Sequence, residues 1–338
     1  MLNTLIIGGA GYTGQELCKL VASHPKLQLS RVFASAGSAN AGQPLPLGIP
    51  GIIEDGEPEH ILAAAAQAQV ILLATPHQAS AELVPALLQA SSALIVDLSG
   101  GFRLAAAAYP AFYGFEHPAS QLLAKAAYGL VGWNDQAISN SRLIAAPGCY
   151  PTASLLALKP LAEAGVISGL PVINAVSGVS GAGKSNKPHT QFCEVSLSPY
   201  GVLSHRHQPE IAQHLGCDVL FTPHLGAFDR GILATITVPV TVGLNQADVD
   251  QCYQQAYQQH PSVQLSGDLR QQAPAIKNVA HTPYAQIGWA VDQQRQLVVV
   301  TSAIDNLLKG AASQALECVN LHFDFHLRPL PGYGWEAL

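Results

Sequence analysis

Leu2-Asn3-Thr4-Leu5-Ile6-Ile7 runs without a break into Gly8-Gly9-Ala10-Gly11-Tyr12-Thr13-Gly14. A short apolar strand, a turn dense in glycine and the opening of a helix constrain the fold more than any other stretch. The glycines permit a tight turn and a close backbone approach to a pyrophosphate seated on the helix N-terminus. GxGxxG by itself is a weak signal, and the strand–turn–helix setting is what strengthens it.

The pattern continues through the first 150 residues. Strand-like runs at Leu2–Ile7, Leu27–Ala34, Val70–Thr75, Leu94–Leu98 and Leu143–Ala146 alternate with helical stretches at Tyr12–Ser23, Pro58–Ala66 and Ser80–Ala90. Short, nearly all-apolar strands alternating with helices predict an α/β fold, a doubly wound Rossmann-type parallel sheet. Ala36–Gly56 is rich in Gly and Pro and reads as a long loop or an extra hairpin. After Pro151 the strands lengthen, at Pro171–Ser177, Ile232–Thr241, Gln286–Asp292 and Gln296–Ala303, and Asn245 with Asp248 can cap a helix reaching about Gln259. This predicts a second, α+β domain on a mainly antiparallel sheet. The expected division is 1–150 for dinucleotide binding and 151–305 for substrate and dimerisation. A last helix, about 306–322, would pack back on the first domain.

Charge removes whole classes of function. The 338 residues carry 16 Lys+Arg against 22 Asp+Glu, for a net charge of −6, so no basic face exists for nucleic acid. Only 11% of residues are charged, which raises the question of a membrane. The longest uncharged window, Ile61–Ala81, contains three Gln, a His and a Pro, and does not fit a spanning helix. The N-terminus has no cationic stretch ahead of an apolar one, so no signal peptide is expected. Six scattered cysteines without a Cys-x-x-Cys pair fit a reduced, cytoplasmic setting.

One cysteine stands apart. In Ala146-Pro147-Gly148-Cys149-Tyr150-Pro151-Thr152, Pro151 suits the start of a helix, which places Cys149 at or just before its N-terminus. Unpaired N–H groups and the helix dipole there favour a thiolate and can support an oxyanion. Cys18, Cys217, Cys252 and Cys318 lie in or beside apolar helical patterns and read as packing residues; Cys193 is left open.

In Ser204-His205-Arg206-His207-Gln208-Pro209-Glu210, two imidazoles flank a guanidinium before a helix start. A thiolate mechanism needs an acid/base with a pKa near 7, which His supplies, and His205 and His207 both qualify. Arg206 can hold a carboxylate or phosphate, and Glu210 can orient an imidazole. His-x-His also occurs in metal sites, but no Cys or Asp partner stands at ligand spacing, and no metal is expected. Ser177-Gly178-Val179-Ser180-Gly181-Ala182-Gly183-Lys184, with Lys187 nearby, looks like a phosphate loop but is not followed by a helix opening. It reads as an anion nest. Asp97-Leu98-Ser99-Gly100-Gly101-Phe102-Arg103 and Thr75-Pro76-His77 end parallel strands, where ligands of open α/β sheets gather.

The second strand decides the cofactor. NAD sites place an acid at its end, whereas Arg31-Val32-Phe33-Ala34-Ser35-Ala36-Gly37-Ser38 has none. Hydroxyls at Ser35 and Ser38 accept a 2′-phosphate that a carboxylate would repel, so NADP (as NADPH) is expected. Arg31 either assists or is a solvated strand residue.

With GGAGYTG, DLSGGFR, YGLVGWN, PGCYPT, SGVSGAGK, HRHQPEI, FTPHLGAFDRG and IDNLLKGAASQA in order, the chain resembles the N-acetyl-gamma-glutamyl-phosphate reductases of the semialdehyde dehydrogenase superfamily over nearly its whole length. The resemblance implies NADPH-dependent reduction of N-acetyl-L-glutamyl 5-phosphate to the 5-semialdehyde, in arginine biosynthesis, with Cys149 as nucleophile and the acid/base in the HRH segment. It implies cofactor contacts from Gly8, Gly9, Gly11, Tyr12, Thr13, Gly14, Ser35, Ser38, Thr75, Pro76, Ser180, Gly181, Gly183 and Asn306. Arg103, Lys184, Arg206 and Glu210 are the substrate-side candidates, and a homodimer or homotetramer is implied. The chain departs from the family at Gly101 and Gly132, where many members carry acids, and at Lys184, where many carry Arg. Two rival readings are a sibling semialdehyde dehydrogenase, acting on an aspartate or a carrier-linked aminoadipate or glutamate substrate, and a non-catalytic NADP-responsive regulator. The regulator would need the dinucleotide site but neither Cys149 nor the histidines.

Overall fold

A computed structural model describes residues 1–184, 188–191 and 193–338, so Lys187 lies outside the described residues. The chain forms two compact units, one of Met1–Gly148 with Ala311–Leu338, the other of Cys149–Gly310.

The first unit is built on a seven-stranded sheet of β1 (Leu2–Ile7), β2 (Leu27–Phe33), β3 (Ile53–Glu54), β4 (Val70–Leu73), β5 (Leu94–Asp97), β6 (Ala127–Tyr128) and β7 (Leu143–Ala145). The order is β3-β2-β1-β4-β5-β7-β6, and every pair is parallel. Val70–Leu73 and Leu94–Asp97 are buried at every position, as strands covered on both faces must be. The order reverses between β1 and β4, which opens a crevice at their carboxyl ends. Ala36–Gly56 is a loop that pairs antiparallel with itself in the manner of a hairpin, with Ile53 N–H on the Gln43 carbonyl at 2.8 Å. It closes on itself through a Pro44–Ile52 bridge and then adds β3 to the edge of β2.

In the second unit, β8 (Val172–Ser177), β9 (Ser198–Pro199), β10 (Leu220–Leu225), β11 (Ile232–Pro239), β12 (Val263–Asp268), β13 (Ala285–Asp292) and β14 (Leu297–Ile304) form a sheet ordered β12-β13-β14-β11-β8-β10-β9. It is mainly antiparallel, but β8–β10 and β12–β13 run parallel, which makes the sheet mixed. Sequence reading misses β10 and β12 because Pro223 and Gly267 sit inside them and weaken the strand pattern. Asn245 and Asp248 do form a reciprocal capping box on the helix Gln246–Tyr257.

The helix Cys149–Glu163 is the core of this unit, buried at nearly every position from Tyr150 to Leu161. Pro160 has no N–H to offer Leu156 four residues back. Tyr257 donates its hydroxyl to that carbonyl at 2.6 Å, and Tyr253 bonds the next one, Ala157, at 2.6 Å. Trp289 stacks on Tyr253 at 4.0 Å between centroids. Two tyrosines thus satisfy buried carbonyls at the proline and hold a helix whose first residue is Cys149.

Candidate active site

Cys149 is half-buried at the first position of its helix. The segment Asp305–Gly310 passes close to it: a side chain at Gly310 would place its Cβ 2.9 Å from the Cys149 Cβ. Asp305 fixes that segment. Its fully buried carboxylate accepts from Leu307 N–H at 2.8 Å and Leu308 N–H at 2.9 Å on one oxygen, and from Arg230 Nε at 2.6 Å and His281 N–H at 2.7 Å on the other. In the sequence this stretch reads as the start of a helix, part of the motif IDNLLKGAASQA with Asn306 as a cofactor contact; the glycine inside it is the signal for its approach to Cys149.

Tyr150 anchors the histidines. Its hydroxyl donates to the His224 carbonyl at 3.0 Å and receives the Tyr200 hydroxyl at 3.2 Å. The rings of His205 and His207 lie 5.8 and 5.9 Å from the Tyr150 ring and 4.8 Å from each other. His205 Nδ1 accepts the His207 N–H at 3.2 Å, so neutral His205 carries its proton on Nε2. Burial, reinforced by the Arg206 charge, pushes His205 down to about 4. His207 opens the helix His207–Leu215, and Glu210 follows on the same side; both are buried, while Arg206 is exposed. Tyr200 went unnoticed in the sequence because no motif marks it.

Ser180, Gly181 and Asn306 come together. Asn306 accepts from Gly231 N–H at 2.7 Å and donates to Ser180 Oγ at 3.0 Å, and a Cβ at Gly181 would lie 2.9 Å from Ser177 Oγ. Val179–Ala182 is a single 3-10 turn, not the helix a phosphate loop would open. Gly183 follows with φ +80, and Lys184 is exposed.

In the first unit, the glycine turn is set by steric need. A Cβ at Gly8 would stand 2.3 Å from the Ala74 carbonyl oxygen, one at Gly9 2.1 Å from Val32, and one at Gly14 2.2 Å from Gly8 O. At Gly11 a Cβ would make only an ordinary contact, 3.7 Å from the Gly8 carbonyl oxygen, ahead of the helix Tyr12–Ser23. Tyr12 is exposed and Thr13 half-buried on the first turn. Thr75 lies beside Gly8, and its buried Oγ1 has no hydrogen-bond partner. An open backbone cradle with an orphaned hydroxyl fits a dinucleotide phosphate. Pro76 is exposed before the helix His77–Ala90.

Three residues stand differently from their sequence reading. Arg103 is buried, with Nε on the Ala146 carbonyl and Nη2 on the Leu98 carbonyl, both at 2.7 Å. Arg31 is part-exposed but not available: it pairs with Glu54, Nε to Oε1 at 2.7 Å, with a second contact from Nη2. Cys217 is exposed just past Gly216, which ends its helix with φ +88, and does not pack. Cys18 and Cys318 are buried, and burial pushes the Cys18 thiol up to about 12. Ser35 is exposed, and Ser38 Oγ accepts from Asn40 N and Nδ2, each at 3.2 Å. The loop is not free of acid, since Gly37 N–H donates to Asp55 at 2.9 Å. At Gly101, a side chain would reach within 3.1 Å of the buried Asp97 carboxylate, so an acid there would set two carboxylates together.

Comparison with known proteins bears on the whole chain. Residues 3–141 match the family described as semialdehyde dehydrogenase, NAD binding domain, and residues 149–306 that described as semialdehyde dehydrogenase, dimerisation domain. N-acetyl-gamma-glutamyl-phosphate reductase of Aeromonas salmonicida is 52% identical over 344 residues, covering 96% of this chain and 98% of the relative. The enzyme of the same name from Vibrio parahaemolyticus is 49% identical over 336 residues, with the same coverage. Among solved structures, aspartate semialdehyde dehydrogenase II of Vibrio cholerae, complexed with ASA, superposes with a TM-score of 0.72 at 16% identity, covering 96% of this chain and 98% of its own. Aspartate semialdehyde dehydrogenase of Candida albicans with NADP gives 0.70 at 13%, covering 95% and 98%. Identities that low carry the fold alone. Among the described residues no helix is long and apolar enough to cross a membrane. From the identities of about half over almost the full length, the chain belongs to the N-acetyl-gamma-glutamyl-phosphate reductase family of semialdehyde dehydrogenases.

Proposed function

We propose that the chain reduces N-acetyl-L-glutamyl 5-phosphate to N-acetyl-L-glutamate 5-semialdehyde with NADPH, releasing phosphate, through a thioester on Cys149. The observation that carries this reading is a half-buried Cys149 at the head of a buried helix whose second residue, Tyr150, packs against both His205 and His207. The Cys149 thiolate attacks the acyl carbon; the C–S bond forms, the C–O bond to phosphate breaks, and phosphate leaves. The helix start, with the positive end of its dipole at Cys149, supports both the thiolate and the oxyanion. Gly8, Gly9, Gly11, Tyr12, Thr13, Gly14, Ser35, Ser38, Thr75 and Pro76, with Ser180, Gly181, Gly183 and Asn306, would hold the dinucleotide, which when bound supplies a hydride to the thioester carbon.

The remaining chemistry falls to side chains. Hydride addition leaves an oxyanion; the His205–His207 pair lends it a proton to give the thiohemiacetal, and collapse breaks the C–S bond, returns that proton to the pair and restores the thiolate. Glu210 orients the pair. The exposed Arg206 and Lys184 meet the phosphate, and Arg103 acts by holding the Ala146 carbonyl in the strand end that leads to Cys149. The protein acts in the cytoplasm as a homo-oligomer, a dimer or tetramer. The half-exposed sheet face of Val176, Leu233, Thr237 and Val299 supports association through the second unit.

Cys149→Ser tests the chemistry: aldehyde production falls by orders of magnitude while NADP binding persists. Turnover near the parent level sinks the covalent mechanism. Phosphate-dependent NADP reduction assayed on N-acetylglutamate, aspartate and aminoadipate semialdehydes separates this activity from its siblings, and no activity on any of them points to a regulator.

A further inference from the structure

The carboxyl end of β2 carries an unassigned negative charge. The exposed turn Ser35–Ser38 is closed by Ser38 N–H on the Ser35 carbonyl at 3.1 Å, with Gly37 at φ +66. Asp55, just past the edge strand β3, takes the Gly37 N–H at 2.9 Å. The backbone that carries this carboxylate is held close to the turn, because a Cβ on the next residue, Gly56, would stand 1.9 Å from the Ala34 carbonyl oxygen. The backbones of residues 34 and 56 are therefore in contact.

Arg31 is the sole Lys or Arg between Lys26 and Arg103. Its guanidinium lies over the Phe33 ring, 4.8 Å from the centroid, and is engaged twice by Glu54. Glu54 is itself fixed, since it pairs with Phe33 in the β2–β3 ladder. Arg31, Glu54 and Asp55 together leave one net negative charge beside the turn.

We propose that Asp55 is a specificity residue for the cofactor: it occupies the Gly37 backbone donor and places a carboxylate where a ribose 2′-phosphate would sit, which holds down the preference for NADPH over NADH. This rests on the dinucleotide reading of the glycine turn given above. A 2′-phosphate must displace the carboxylate from Gly37 and tolerate its charge, whereas a 2′-hydroxyl can leave both in place. The hydroxyls of Ser35 and Ser38 then carry recognition of the phosphate without help from a cation.

The test is binding of adenosine 2′,5′-bisphosphate and of 5′-AMP to the full chain, measured by calorimetry at low and high salt. Asp55→Asn keeps an oxygen acceptor for Gly37 and removes only the charge. It should tighten the bisphosphate by ~fivefold or more at low salt, less at high salt, with 5′-AMP unmoved. Glu54→Gln, which weakens the hold on Arg31, should act in the same direction. If both probes bind and neither substitution changes the ratio of their affinities, the proposal is overturned and the dinucleotide reading stands. If neither probe binds the unsubstituted protein, the dinucleotide reading falls, and the proposal with it.

Discussion

Cys149 and Gly310, 161 positions apart, approach so closely that a single carbon added at Gly310 would come within 2.9 Å of the Cys149 Cβ. Gly310 N–H also donates to the Asp305 carbonyl at 2.9 Å, so the segment cannot easily yield. The nucleophile is thus positioned by a glycine that carries no chemistry of its own.

Gly310→Ala should therefore damage catalysis before binding. Displacing the thiol by a few tenths of an ångström is expected to lower kcat by roughly 10- to 100-fold, at a stability cost of about 1–3 kcal/mol for overpacking. Steady-state kinetics and the rate of Cys149 alkylation check this. An unchanged kcat with a lowered melting temperature would reduce Gly310 to a packing residue.

The buried Arg230–Asp305 pair makes a stability prediction. Both side chains are almost wholly shielded, at 9% and 0% exposure, so removing one leaves the other charge without its counterion. Arg230→Met is expected to cost about 3–5 kcal/mol, read as a shift in urea midpoint. Because Asp305 also sets Asn306, which bonds Ser180 Oγ, dinucleotide affinity should weaken in the same variant. A loss below about 1 kcal/mol would show that the backbone donors on Asp305 suffice.

Acid should weaken the fold through two histidines. Burial pushes His24 down to about 4, against the opposing hydrogen bond with Asn320, and burial with the Arg206 charge does the same to His205. Both native values lie below the ordinary 6.5, so the unfolded chain binds more protons between them. Stability from these groups is full above 6.5 and is lost as pH falls toward 4. Urea midpoints at about pH 7.5 and about pH 5 should differ, and His24→Gln with His205→Gln should shrink the difference. An undiminished difference in the double variant assigns the acid sensitivity elsewhere.

Much of the site was legible because its requirements are local. Gly14 needs to be glycine because a Cβ there would stand 2.2 Å from the Gly8 carbonyl oxygen, six residues back in the same turn, and that need is written as a motif. Pro151 marks a helix start in the same way, and the start fixes where Cys149 sits. The Asn245–Asp248 capping box is likewise contained within four residues.

The rest depended on neighbours brought together by folding. Asp55 meets Gly37 only because β3 pairs with β2, so a strand end that looks free of acid acquires one from 18 residues away. Glu54 claims Arg31 by the same pairing. Pro223 hid a real strand, whose pairing with β8 gives it a place no local propensity could. The chain by itself determined the glycine turn, the strand–helix alternation and the cysteine at a helix head, because each is a steric or dipolar need met within a few residues. The tertiary structure alone decided which charge faces which donor and which glycine lies against the nucleophile, because charge and space there are set by segments that leave no periodic trace in the sequence.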